Sequence, residues 1–183
     1  FLQEIDPDSP NYNKDAGLGI VGIEHTNPKD YKRKAVCTFE DEGQCFGCEQ
    51  HRRDPKSGWK AKPRFYVNVI VEDGSEDPYV AILSQGTGPK SATPEIGQYA
   101  AETGSITNLI WKLKRTGEKT DTNYSIIPLP TAEVKPIDFA KYELFDLTKT
   151  AVRTVAYADQ ENFYLGVTSE NTEESSTSSS VEW

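Results

Sequence analysis

The sequence predicts a mainly β domain that carries an inserted metal-binding segment, a few short helices and an acidic C-terminal tail. Three observations predict this. Apolar runs that alternate with period two recur between turn-forming clusters, most clearly in RFYVNVIV, residues 64–71. All three cysteines and both histidines fall between His25 and His51. After Gly166 the chain becomes VTSENTEESSTSSSVEW, a composition that cannot bury enough apolar surface to offset its ordering entropy.

Taken in order, residues 1–16 read as an irregular lead-in, with Asp6-Pro7-Asp8-Ser9-Pro10 as a turn signal. The run GLGIVGIE, residues 17–24, is apolar enough to enter a sheet, and the metal-binding segment, about 25–58, follows it. Asp54-Pro55-Lys56-Ser57-Gly58 forms a turn ahead of the strongest strand. In that strand Phe65, Val67, Val69 and Val71 take one face, expected to be core, and Arg64, Tyr66, Asn68 and Ile70 take the other. YVAIL, residues 79–83, is its expected hairpin partner. A helix is expected from Thr93 as cap, through Pro94 in the first turn, to a stop at Gly104, with Ile96, Tyr99 and Ala100 on one face.

A second hairpin pairs Ile110–Arg115 with Asn123–Ile127 and is ended by Pro128 and Pro130, and PIDFAKYELFDL, residues 136–147, reads as a helix running on toward Val155. Strands in hairpins with so few helices point to a small Greek-key barrel of the OB type over residues 17–156, with an SH3-like barrel as the competing solution. Residues 157–183 are expected to form a disordered acidic tail.

The cysteines and histidines have the spacing His25-x11-Cys37-x7-Cys45-x2-Cys48, with His51 just beyond. A Cys-x2-Cys pair presents two thiolates to one Zn2+ from a tight knuckle, and a third cysteine and one histidine complete a closed tetrahedron. Three cysteines cannot all pair as disulfides, which also favours metal. His25 has the longer free approach and is preferred to His51 as the fourth ligand. Such a site has no open position for water, so its expected role is structural.

The net charge of −9 is distributed in blocks. Between Lys29 and Arg64 ten basic residues face six acidic ones, whereas Tyr157–Trp183 holds six acidic residues and no basic one. Neither a phosphate-cradling G-x-x-x-x-G-K-[ST] loop nor an H-E-x-x-H motif occurs, and the chain is expected not to be an enzyme. No apolar run is long enough to span a bilayer and FLQEIDPDSP lacks the features of a signal peptide, so an intracellular protein without a membrane partner is expected. Methionine is absent even at position 1, as in a fragment or processed form.

Basic residues interleave with aromatics in WKAKPRFY (Trp59, Lys60, Lys62, Arg64, Phe65, Tyr66) and in WKLKR (Trp111, Lys112, Lys114, Arg115), with Tyr124 on the adjoining strand. Cations that track phosphates beside rings that stack on bases are what a single-stranded nucleic acid requires. The competing reading makes part of these aromatics packing residues and the basic strand a solvated edge. A flexible tail ending Val181-Glu182-Trp183 suits either partner-protein contact or coverage of a cationic groove.

The His-Cys-Cys-Cys order, the basic-aromatic strand RFYVNVIV and SITNLIWKLKRTGEKTDTNYSIIPL together resemble the zinc-containing single-stranded DNA-binding proteins of tailed phages. This is the family of the helix-destabilising protein of T4-like phages and its smaller relatives, and the resemblance covers residues 18–130, with a tighter ligand spacing than in the T4-type member. It implies an OB-fold with an inserted zinc subdomain and binding of single strands, with little sequence preference, in phage DNA replication, recombination or repair within the bacterial cytoplasm. It implies Zn2+ on His25, Cys37, Cys45 and Cys48, and DNA near Arg64, Tyr66, Lys112, Lys114, Arg115 and Tyr124, to which the basic-aromatic runs themselves add Lys60, Lys62 and Trp111 as expected nucleic-acid contacts. It also implies contacts from the acidic tail, Glu182 and Trp183 included, to replication and recombination proteins. A zinc-stabilised protein-interaction module and an RNA-binding OB module are the alternatives.

Overall fold

The alternating run around Phe65 forms a ten-residue strand in the computed structural model, which describes residues 1–74, 77–118, 121–129, 138 and 141–167. Six strands lie among the described residues: β1 (Ile20–Asn27), β2 (Asp30–Val36), β3 (Lys62–Val71), β4 (Tyr79–Gly86), β5 (Ile110–Thr116) and β6 (Asn123–Leu129). The helices are short: α1 (Phe39–Glu42), α2 (Phe46–Arg53), α3 (Thr93–Thr103), α4 (Leu147–Thr150) and α5 (Tyr157–Leu165). The protein is therefore mainly β. The first four strands form one sheet in the order β2-β1-β3-β4, and β5 pairs with β6 in a second. None of the helices is long and apolar enough to cross a membrane.

The chain divides into two compact units, Phe1–Val21 with Arg64–Leu147, and Gly22–Pro63 with the segment from Thr148 through α5. In the first unit, β3 and β4 pair antiparallel from Arg64↔Gly86 to Val71↔Tyr79. Phe65, Val67, Leu83, Ala92, Ile96, Ile106 and Ile126 form its core, with Trp111, Leu113 and Tyr124 packed against it. Helix α3 lays Ile96 into that core and stops at Gly104, whose φ of 74° is left-handed. Thr93 is the first helical residue rather than the cap, because its hydroxyl donates to the Gly86 carbonyl. Strands β5 and β6 match the expected second hairpin, in the register Ile110↔Leu129 to Thr116↔Asn123. Pro128 lies inside β6, opposite Trp111, rather than beyond its end.

Three expectations are corrected. Residues 142–146 are not helical, and only the single turn α4 begins at Leu147. The cause is Asn68, whose carboxamide accepts from the Phe145 N–H and donates to the Phe145 carbonyl, so neither group is left for a helix. The acidic tail was expected to begin at Tyr157, yet Tyr157–Leu165 is helix α5, anchored by buried Gln160 and Tyr164. The end of the tail, Glu182 and Trp183 among it, lies outside the described residues. Finally, both faces of β3 are buried. Leu2 donates its N–H to the Asn68 carbonyl, and Gln3 Oε1 accepts from the Asn68 N–H and side chain, so the N-terminal segment packs at Asn68 on the face that was not expected to be core. That segment is held by Glu4, whose carboxylate is buried and accepts from Ser105, Thr107 and the Ile106 N–H.

Candidate metal centre

Four donors converge in the second unit, each delivered by a different local device. Strand β1 carries His25, and its pairing with β2 sets His25 opposite Ala35. Cys37 follows β2, its N–H bonded to the Ile23 carbonyl at 2.8 Å. Cys45 occupies the N-cap of α2 and Cys48 lies in the first turn of that helix, so the Cys-x2-Cys knuckle is a helix start. Cys37 Sγ and Cys48 Sγ are 3.5 Å apart, Cys48 Sγ is 3.3 Å from His25 Nε2, and all four ligand atoms lie within 4.8 Å of one another. A tetrahedron with metal–sulfur bonds of about 2.3 Å has edges of about 3.8 Å, so the cluster is close to the size one ion requires. His25, Cys37, Cys45 and Cys48 could hold a metal ion, and His51 stands outside the set.

The surroundings orient the donors. His25 is 1% exposed, and its Nδ1 donates to the Trp59 carbonyl at 2.6 Å, which leaves Nε2 as the atom facing the cysteines. Gly47, in the middle of the knuckle, lies against the His25 ring so closely that a Cβ would overlap it. Thr38 donates to the Gln44 carbonyl and accepts from Gln160 Nε2, while Gln160 Oε1 accepts from the Phe46 N–H, so α5 braces the knuckle from outside. Phe46, Trp59 and Tyr164 close an aromatic wall, with Trp59 and Tyr164 edge to face at 4.9 Å.

Among the four donors, one thiol is drawn towards its ionised form and the other two are held in their neutral form. Burial works against ionisation of Cys45, but hydrogen bonds from His25 and from the backbone N–H groups of Cys48 and Thr38 outweigh it and draw the thiol down to about 6. Burial, then Cys37 and Cys45, push Cys48 up to about 12, and burial likewise raises Cys37. Burial would lower His25, yet Cys45 and the Trp59 carbonyl raise it on balance. Three thiolates cannot ionise side by side without a cation among them, and a bound dication would supply that charge.

No protein-family model, curated protein or solved structure matches the chain. The structure alone therefore places the other residues nominated from sequence. Lys60, Lys62, Lys112, Lys114 and Arg115 are exposed. Arg64 is half-buried and donates from Nε to Ser84 Oγ at 2.6 Å. Tyr66 is only 2% exposed, which corrects the expectation of a ring on an open face. Trp111 stands edge-on to Phe1 and Tyr99 and donates its indole N–H to the Ile106 carbonyl, and Tyr124 packs on the same core, so both rings are structural. The sequence did not disclose the parts that Gly47 and Gln160 play around the donors, and Trp59 stood there only as a member of a basic-aromatic run. A small residue inside a Cys-x2-Cys knuckle is a legible signal, whereas the roles of Trp59 and Gln160 depend on tertiary contacts.

Proposed function

We propose that the protein binds single-stranded DNA with little sequence preference, with zinc on His25, Cys37, Cys45 and Cys48 as a structural brace and its strands arranged as an OB-type barrel. Three sulfur donors and one imidazole suit zinc, which contributes no open coordination position when four protein ligands surround it. The reading draws on the resemblance carried by the His-Cys-Cys-Cys order and the basic hairpin, and the setting it implies is replication, recombination or repair of a phage genome in the bacterial cytoplasm.

The observation that carries the reading is the division of labour on β5. Trp111 and Leu113 pack inward, while Lys112 and Lys114 stand exposed on the opposite face, across from Ile127 and Ser125. A strand that buries its apolar face and offers a row of ammonium groups suits a phosphate backbone. Exposed Ile110, Ile127 and Leu129 on that same outer face favour a second reading, a docking surface for a protein, which expects no salt-dependent DNA affinity. Titration of single- and double-stranded oligonucleotides at two salt concentrations separates the two. The proposal expects preference for the single strand and steep weakening with salt, and absence of binding at low salt would end it.

A further inference from the structure

We infer that a single strand is gripped on the metal-bearing unit, at the tip of the β1–β2 hairpin, with Tyr31 as the stacking ring and Lys29, Lys32, Lys56 and Lys60 as phosphate contacts. This rests on the nucleic-acid reading above and moves its stacking contact to a different place. The need for a new place follows from the burial of Tyr66 and from the packing of half-buried Trp111 and Tyr124 against the core, so none of the three nominated rings stands mainly exposed.

Tyr31 differs from them. It is 77% exposed, the most exposed of the large apolar side chains among the described residues, and it makes no ring contact there. The backbone beneath it is held firmly. Asn27 Nδ2 donates to the Tyr164 carbonyl, and Asn27 Oδ1 accepts from the Lys29 N–H, each at 2.8 Å. Arg33 pairs with Asp30 at 3.0 Å and donates to the Phe163 carbonyl. A ring that is open to solvent on a held backbone can take a base with only its own side-chain freedom to lose.

Two stretches far apart in sequence bring cations to this tip. Gly58, at a left-handed φ of 88°, lies against the Pro28 ring, with Pro28 Cγ 3.1 Å from where a Cβ would stand. That approach sets the loop carrying Lys56 and Lys60 beside the turn carrying Lys29 and Lys32. All four lysines are exposed, and none has an ion-pair partner among the described residues. The acidic groups of these stretches are engaged locally: Asp30 with Arg33 and the Lys32 N–H, and Asp54 with the Lys56 N–H. The Trp59 carbonyl that holds His25 lies between Lys56 and Lys60 in the chain, so the metal ligand and the cationic loop are fastened to each other. Free ammonium groups around one open ring complement a chain of phosphates and bases.

The test uses the full chain and a labelled oligo-dT, with binding followed by anisotropy and folding by thermal melting. Tyr31→Ala is expected to weaken binding about tenfold with an unchanged melting temperature, and Tyr31→Phe to restore it. Replacing Lys29, Lys32, Lys56 and Lys60 by Gln is expected to flatten the logarithmic salt slope by about 0.7 per lysine. Wild-type affinity in Tyr31→Ala and in the fourfold lysine variant would overturn the inference and leave the nucleic-acid reading standing. Absence of oligo-dT binding by the wild-type chain at low salt would overturn both. Binding of polyglutamate as tightly as the oligonucleotide, and equally in Tyr31→Ala, would assign the lysines to an acidic protein and overturn the inference as well.

Discussion

Gly47→Ala puts the geometry of the metal centre under a demand that only one part of the structure can answer. An alanine Cβ would stand 2.7 Å from both Cβ and Cδ2 of His25 and closer still to Cγ. Carbon atoms rest at about 3.5–4.0 Å, so the imidazole must retreat by about 1 Å. The ring has nowhere to go, being 1% exposed and tied through Nδ1 to the Trp59 carbonyl at 2.6 Å. Metal ligation accepts errors of about 0.2 Å, so Nε2 would be lost or misplaced as a donor. The expected result is a fall of about 10–100-fold in metal affinity. Overpacking adds a stability loss of about 1–3 kcal/mol. Gly97 is the control, because a Cβ there meets nothing within 4 Å and the residue lies within α3. Gly97→Ala should stabilise by about 0.5–1 kcal/mol. Competition against a chromophoric chelator reads the affinity, and denaturant unfolding reads the stability. Wild-type values for Gly47→Ala in both assays would refute the packing of the knuckle on His25.

Other expectations test separate parts of the structure. Chelation, and Cys48→Ser, should each lower the melting temperature, and metal analysis of freshly purified protein should find about one ion per chain. Tyr66→Ala should cost about 3–5 kcal/mol in denaturant unfolding, as a core truncation does, whereas exposed Lys114→Ala should stay within about 0.5 kcal/mol. Asn68→Ala should destabilise by about 1–3 kcal/mol for each partner it strands, the Phe145 N–H and carbonyl being foremost. For Glu4, burial opposes ionisation, but hydrogen bonds from Ser105, Thr107 and the backbone N–H groups of Ile106 and Thr107 outweigh it, so the folded pKa lies below the ordinary 4.5. The unfolded chain then binds more protons in acid. The stabilisation is complete above the unfolded value and is lost as pH falls through the folded one. Unfolding midpoints measured across that acid range should show the loss, and Glu4→Gln should flatten it.

What was legible in the sequence was local. Alternation located β3 and the β5–β6 hairpin, Pro94 and Gly104 bracketed α3, and cysteine spacing together with the free approach of His25 identified the four donors. What failed was long-range. Period-two reading gives a strand one wet face, but the N-terminal segment and Phe145 bond to Asn68 and bury both faces of β3, Tyr66 with them. Helix α5 is hidden because YADQENFYL runs without a break into the polar, acidic residues after it, and its anchors, Gln160 and Tyr164, act through partners more than a hundred residues away. Trp111 carried an ambiguous signal, since an aromatic beside lysines fits a base-stacking surface and a core edge equally well until its indole partner, the Ile106 carbonyl, is located.

The claim that joins the metal centre to the proposed activity is best tested by one titration of oligo-dT against the metal-loaded chain, repeated after chelation and again after metal is restored. The account predicts salt-sensitive binding that weakens when the ion is removed, because the loop bearing Lys56 and Lys60 loses its fastening through Trp59 and His25, and that recovers when the ion returns. Equal affinity in all three states would contradict the link between the metal and the binding surface, and no binding in any of them would contradict the function itself.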